Sequence, residues 1–183
     1  MKQFSLATLA LLLVVSSPAL ASFGQGNGEV GVGFGITQLD SSTFDDTATG
    51  FGVRGGYNIT KLFEVEGQLS QSSASTNDNT LGDMDLDSTT VFVNGVFNFH
   101  PRPAIVPYAL FGLGTTDVEV KATGGSVDDS STAYQFGGGS RFFFGKEKKI
   151  AARVEVSWIN EDTFDESQTH TNIVGGLTWK LGR

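Results

Sequence analysis

Apolar and polar residues alternate most clearly between residues 150 and 158, where the sequence reads IAARVEVSW. Successive side chains of a β-strand point to opposite faces, so this segment predicts a strand with one apolar face. Its length matches the roughly 9–11 residues that a tilted strand needs to cross the hydrocarbon of a membrane. The residues on the apolar face are Ile150, Ala152, Val154, Val156 and Trp158.

The same period of two recurs along the chain and predicts eight strands. In the fifth of them both faces are apolar, so its orientation stays open, and the fourth has one mixed face. The connections alternate between long and short, which is typical of outer-membrane barrels with long external loops and short periplasmic turns. We therefore predict an all-β fold, an eight-stranded antiparallel up-and-down transmembrane β-barrel. The predicted strands are residues 29–37, 50–57, 62–70, 88–99, 106–115, 132–144, 150–158 and 171–181, with long loops at 38–49, 71–87, 116–131 and 159–170.

The first 21 residues have the features of a signal peptide. Lys2 precedes an apolar run at residues 6–15, and small residues near Ala21 form a cleavage site. We expect cleavage after Ala21, which leaves residues 22–183 as a single barrel domain. The chain contains no cysteine, so packing and backbone hydrogen bonds must hold the exported domain together.

Charged residues separate between the two sets of connections, and the formal net charge is −8. This acidic balance argues against nucleic acid as a partner. A soluble lipocalin-like barrel would also alternate, but the separation of charge favours a membrane barrel. The long loops carry Asp40, Asp45, Asp46, Asp78, Asp83, Asp85, Asp87, Asp117, Glu119, Asp128, Asp129, Glu161, Asp162, Asp165 and Glu166, with Lys121 as their one base. The short turns and the C-terminus carry Lys61, Arg102, Lys146, Lys148, Lys149 and Arg183, with Glu29 and Glu147.

Aromatic residues gather near the ends of the predicted strands. Aromatic side chains favour the two interfaces of a membrane, so this placement predicts an aromatic girdle; packing in an ordinary core is the alternative. The girdle residues are Tyr57, Phe63, Phe97, Phe99, Phe142, Phe144, Trp158 and Trp179.

The last strand carries the most specific motif. Gly176, Trp179 and Leu181 have the spacing of the signal that the barrel-assembly machinery reads, although Gly182 and Arg183 stand where that signal has a terminal aromatic residue. With this motif, residues 22–183 resemble the small eight-stranded outer-membrane barrels of the OmpA–OmpX and opacity-protein type. The resemblance implies a monomer in the outer membrane of a Gram-negative bacterium, in contact with outer-membrane lipid, lipopolysaccharide and the assembly machinery.

Charged residues of both signs occupy the predicted inner face. An eight-stranded barrel leaves little free width, so we expect these residues to form ion pairs that plug the lumen. A gated pore is the alternative. The expected network consists of Arg54, Glu64, Glu66, Arg141, Arg153, Glu155 and Lys180.

Candidates for catalysis and metal binding are weak. The acidic repeat from Asp83 to Asp87 lacks the glycine and glutamate of an EF-hand loop, so we predict no metal site and no cofactor. His100 follows the fourth strand, and His170 is expected at the external rim as a surface histidine. Ser167, Asp165 and Glu166 are near His170 in sequence, but sequence proximity does not establish a catalytic triad, and we predict no enzyme.

The expected function is structural or adhesin-like, with the acidic loops meeting an extracellular ligand or host factor. The alternatives are a small pore, a lipid-modifying enzyme that uses the rim histidine, and a soluble lipocalin-like carrier. The composition of the loops names no ligand.

Overall fold

The computed structural model is a closed barrel of eight β-strands. It describes residues 26–39, 47–78, 82–99, 104–122, 125–163 and 166–181; the predicted signal peptide lies outside these ranges. Within them, no helix is long and apolar enough to cross a membrane. The strands are β1 (Asn27–Leu39), β2 (Thr47–Asn58), β3 (Phe63–Asp78), β4 (Gly82–Asn98), β5 (Ile105–Ala122), β6 (Gly125–Phe144), β7 (Ile150–Thr163) and β8 (Glu166–Leu181).

Each strand pairs antiparallel with its neighbour in sequence, and β1 pairs with β8 to close the barrel. The closing seam runs from Gly28 opposite Leu181 to Leu39 opposite His170. The predicted eight-stranded antiparallel up-and-down barrel is thus confirmed. The end that holds the start of β1 and the end of β8 is called the turn end below, and the opposite end is called the hairpin end.

The outer surface is apolar and the interior is largely polar, because each strand alternates between them. The orientation of β5, which the sequence left open, is now settled. Tyr108 and Leu110 are buried in the lumen, whereas Phe111 and Leu113 are 56% and 58% exposed on the outside. Phe92 and Val96 of β4 also point inward and are fully buried. The lumen of so narrow a barrel is filled by side chains, so it accepts apolar residues among the polar ones.

Three of the four predicted long loops are mostly strand. The segment 71–87 is β3 continuing to Asp78 and β4 beginning at Gly82, and 116–131 is divided in the same way between β5 and β6. In 159–170, β7 continues to Thr163. In these segments the outward-facing positions are polar, as at Asp117, so the apolar outer face ends although the backbone pairing continues.

Four strands extend beyond the rest of the barrel at the hairpin end. Pairing between β4 and β5 continues to Asp85 opposite Lys121, and β3–β4 and β5–β6 pair to their hairpin tips. In contrast, β2–β3 pairing stops at Ser73 and β6–β7 pairing stops at Ala133. The result is a four-stranded sheet, here named the projecting sheet, which comprises residues 74–78, 82–90, 115–122 and 125–132.

Candidate functional site: the charged lumen

Two arginines and two glutamates meet at the centre of the lumen. Arg153 of β7 donates from Nη1 to Glu66 Oε2 of β3 at 2.6 Å, and Arg54 Nη1 of β2 lies 3.1 Å from Glu155 Oε2 of β7. Arg153 also pairs with Glu155, and Arg54 lies 3.5 Å from Glu66. β3 and β7 are four strands apart in a barrel of eight, so the Arg153–Glu66 contact spans the lumen.

Tyr108 joins this central group. Its hydroxyl donates to Glu155 Oε2 and accepts from Arg153 Nε, both at 2.7 Å. Two guanidinium groups lie over its ring: Cζ of Arg153 is 4.6 Å from the ring centroid and Cζ of Arg141 is 5.0 Å from it. Cations over an aromatic face are attracted by its quadrupole. The sequence did not identify Tyr108, because the orientation of its strand was undetermined.

A second group lies nearer the turn end. Arg141 of β6 donates from Nη2 to Glu64 Oε2 at 2.7 Å and approaches Glu29 Oε2 at 3.2 Å. Glu64 reaches this position because Gly56 has no side chain; a Cβ there would collide with the Glu64 carboxylate.

The prediction that placed Glu29 among the turn residues is wrong. Glu29 is buried on the inner face of β1, opposite Lys180 of β8. The Lys180 ammonium lies 3.6 Å from the centroid of the Phe143 ring. The lumen therefore holds four basic residues (Arg54, Arg141, Arg153 and Lys180) and four acidic ones (Glu29, Glu64, Glu66 and Glu155) in these two groups. Equal numbers of opposite charges meet the requirement that buried charge be paired.

Neutral side chains continue the filling of the lumen. Gln135 Nε2 donates to Asn94 Oδ1 at 2.6 Å, and Asn94 Nδ2 donates to Gln68 Oε1 at 3.3 Å. All three side chains are buried, as is Phe92. The seven predicted network residues thus all face the lumen. The structure adds Tyr108 and Glu29 to this charged network.

His170 is not the surface residue that the sequence predicted. His170 is 6% exposed, and its Nε2 lies 3.1 Å from Oε1 of Glu161, which is 8% exposed. Glu161, assigned to an acidic loop, belongs instead to β7 and faces the lumen. The side chains of Ser167 and Glu166 lie outside the described residues, as do Asp165 and His100. The described partner of His170 is therefore Glu161, a residue that sequence proximity did not suggest.

Of the acidic repeat that begins at Asp83, the side chain of Asp87 alone belongs to the described residues. The side chains of Asp83 and Asp85 lie outside the described residues. Among those that the structure does describe, no group of three or more His, Cys, Asp or Glu is arranged to hold a metal ion.

The predicted girdle residues all point outward. Their exposed fractions range from 37% for Trp179 to 49% for Phe144. Phe97 and Phe99 contact edge to face with centroids 5.1 Å apart, and Trp158 stacks on Phe136 at 5.3 Å. Seven of the eight lie towards the turn end; the exception is Trp158, which lies beyond the middle of the outer face of β7. In the last strand, Trp179 and Leu181 face outward and Gly176 faces the lumen.

Comparison with known proteins gives one family and several structural neighbours. The family model described as outer membrane protein beta-barrel domain matches residues 7–180. Ail, the attachment invasion locus protein of Yersinia pestis, superposes with a TM-score of 0.61 at 18% identity, over 86% of this chain and 99% of that one. Neisserial surface protein A superposes at 0.70 and 10% identity, over 83% and 96%. OprG from Pseudomonas aeruginosa superposes at 0.62 and 14% identity, over 88% and 99%.

Ail has also been solved in complex with the heparin analogue sucrose octasulfate. No curated protein matches this chain by sequence. At these identities the structural neighbours establish the fold alone.

Proposed function

Because this chain belongs to the family of outer membrane protein beta-barrel domains, an outer-membrane family of Gram-negative bacteria, we propose that it is a surface-interaction protein. In this proposal the barrel is a closed anchor, and the projecting sheet contacts a ligand outside the cell. The observation that carries the proposal is the length of the projecting sheet. Its β6 strand continues for eight residues beyond the last β6–β7 pair, about 25 Å at the usual rise per residue.

The edges of the projecting sheet support a binding role. Residues 74–78 of β3 and 125–132 of β6 pair on one side only in the described pairing. Strand edges present unpaired backbone donors and acceptors to other chains, and natural proteins usually protect them. A protein that served only as a membrane plug would gain nothing from a sheet of this size outside the lipid.

Charge indicates the class of ligand. Asp87 and Glu119 lie directly opposite each other on β4 and β5, and Asp117 is on the same face. These acidic residues favour a basic partner and disfavour a polyanion of the heparin type, in contrast to the heparin analogue bound by Ail. We therefore expect the ligand to be a basic segment of a host or neighbouring-cell protein.

Shortening the projecting sheet tests the proposal. A variant that lacks residues 75–85 and 117–130 removes both hairpin extensions and retains the part of each strand that pairs within the barrel. Cells that carry this variant should lose adherence to host cells, while the variant still shifts on an unheated gel as a folded barrel. The matched control is Asp117→Asn with Glu119→Gln, which retains the sheet and removes two charges; it should weaken adherence partly. Undiminished adherence of the shortened variant would reject the proposal.

Side chains cross the lumen and contact one another there, which disfavours the alternative that the protein is a pore. Arg54, Tyr108 and Arg153 all contact Glu155 inside a narrow barrel. We propose that these contacts plug the lumen, so the wild-type protein should show no steady conductance in planar bilayers.

The remaining assignments are part of the same proposal. Signal peptidase cleaves after Ala21, and the assembly machinery reads Gly176, Trp179 and Leu181. The mature protein is a monomer in contact with outer-membrane lipid and lipopolysaccharide, and the aromatic girdle lies at the interfaces of the membrane. The hairpin end then faces the outside of the cell.

A further inference from the structure

The turn between β6 and β7 concentrates positive charge at the turn end. It comprises residues 145–149 and is here called the lysine turn. Lys149 Nζ lies 2.8 Å from Glu147 Oε2, and the hydrogen bond from Lys149 lowers the pKa of Glu147, which keeps the pair charged. Within the described part of the chain, Lys146 and Lys148 form no ion pair. The lysine turn therefore presents two uncompensated positive charges.

The backbone of the lysine turn is held in an unusual conformation at one lysine. Lys148 has a φ of +48°, and its amide donates to the Gly145 carbonyl at 3.3 Å. A left-handed backbone is uncommon for residues other than glycine, asparagine and aspartate. Gly145, with a φ of +81°, follows that rule and Lys148 does not. Backbone outliers of this kind cluster at functional sites.

The lysine turn lies next to the apolar outer surface. Phe144 pairs with Ile150, and Ile150 pairs with Trp179, so these side chains form a row across three strands. Phe144 and Trp179 are exposed on the outside. The Lys180 amide donates to the Lys149 carbonyl at 2.8 Å, which fixes the lysine turn against β8. The lysines therefore begin where the apolar row ends.

We propose that the lysine turn binds the phosphate group of an anionic phospholipid whose acyl chains lie along Phe144, Ile150 and Trp179. A surface that joins exposed apolar side chains to uncompensated lysines matches a lipid, which joins acyl chains to a charged headgroup. Lysines near an anionic leaflet attract it, and a tryptophan beside them is suited to the headgroup region. This site is at the opposite end from the projecting sheet, so it does not depend on the proposed surface interaction.

Quenching of Trp179 fluorescence tests the proposal. The chain has two tryptophans, so Trp158→Phe leaves Trp179 as the reporter. The protein is folded into phosphatidylcholine vesicles that contain brominated phosphatidylglycerol or, in parallel, the same fraction of brominated phosphatidylcholine. Phosphatidylglycerol should bind near Trp179 with a preference of roughly 25-fold, since each of the two uncompensated lysines near an anionic surface contributes about fivefold. The preference should fall as salt is added.

Three variants in the same background complete the design. Lys146→Gln with Lys148→Gly and Lys149→Gln should abolish the preference. Lys61→Gln, which removes an exposed lysine from the β2–β3 turn, should retain it. Lys148→Gly alone suits the left-handed backbone, so it should fold at least as well as wild type and lose part of the preference.

Four results would overturn the proposal: equal quenching by the two brominated lipids in the wild-type background, a preference that survives in the triple variant, a preference undiminished in Lys148→Gly, or loss of the preference on adding inorganic phosphate at constant ionic strength. The last result would mean that the turn binds free phosphate rather than lipid. A gel shift between heated and unheated samples verifies that each variant is folded.

Discussion

Removal of Arg153 provides the strongest test of the central ion-pair group. Arg153 is fully enclosed and contacts Glu66, Glu155 and Tyr108 at once. In Arg153→Met, two buried carboxylates are left with Arg54 as their one cation, at 3.5 Å and 3.1 Å, so the group acquires a net negative charge. Breaking a buried pair by removing one partner costs about 3–5 kcal/mol, and we expect a loss of that size in the free energy of unfolding.

The double variant Arg153→Met with Glu66→Gln is the matched control. It leaves the Arg54–Glu155 pair in place and returns the group to neutrality, so most of the lost stability should be recovered. Replacing a whole buried pair is often close to neutral, and we expect the double variant within about 1 kcal/mol of wild type on that basis.

Equilibrium unfolding in urea, with the barrel in lipid vesicles and tryptophan fluorescence as the signal, measures all three proteins. The reasoning is refuted if Arg153→Met costs less than about 1 kcal/mol, well below the range for a broken buried pair. It is also refuted if the double variant is as unstable as the single one, because the loss would then come from packing rather than from unpaired charge.

Three further predictions concern other parts of the barrel. Phe92→Ala should lower the free energy of unfolding by about 3–5 kcal/mol, because it opens a cavity in the lumen; the same urea titration should show a smaller loss for lipid-facing Phe111→Ala, and equal losses would contradict the assigned facing. His170→Ala removes the buried contact between His170 Nε2 and Glu161 Oε1 and should cost about 1–3 kcal/mol; a loss no larger than that of the exposed Thr132→Ala would contradict the buried pair. Gly176→Val should lower the yield of heat-modifiable protein in membranes, because a Cβ there meets the Val32 carbonyl; a wild-type yield would show that this close approach is dispensable.

The alternation of side chains predicted the strands because the membrane imposes it on one face of every strand. The segment from Val30 to Ile36 shows this: its large residues face lipid and glycines separate them. The prediction of strands from this alternation fails where the outer face of a strand is no longer apolar. In residues 116–122 the alternation is reversed: Val118 is buried on the inner face and Asp117 is exposed on the outer face, so this part of β5 lacks the outward apolar residues from which the other strands were predicted.

The alternation of side chains does not predict which residues contact each other across the lumen. The sequence identified Arg153 and Glu66 as inward-facing, but their contact depends on the register of the four strand pairings that separate β3 from β7 on each side of the barrel. Tyr108 was missed because both faces of its strand are apolar, and Glu29 because a charged residue at the start of a strand resembles one in a turn. His170 was assigned to the surface since its partner, Glu161, was itself assigned to a loop.

The span of the lumen contacts sets an order of events during folding. Glu66 and Arg153 are 87 residues apart in the chain, and Arg54 and Glu155 are 101 apart, whereas each hairpin pairs residues that are neighbours in sequence. Closing a loop of such length costs chain entropy before the contact can compensate for it, so long-range contacts form slowly. β3 and β7 come within reach of each other only after the sheet has curled. The ion pairs that cross the lumen, Arg153–Glu66 and Arg54–Glu155, must therefore form last, when β1 meets β8. Until that moment the half-formed sheet exposes seven arginine and glutamate side chains on its concave face without their partners across the lumen, so closure of the seam is the step at which the chain becomes compatible with a membrane.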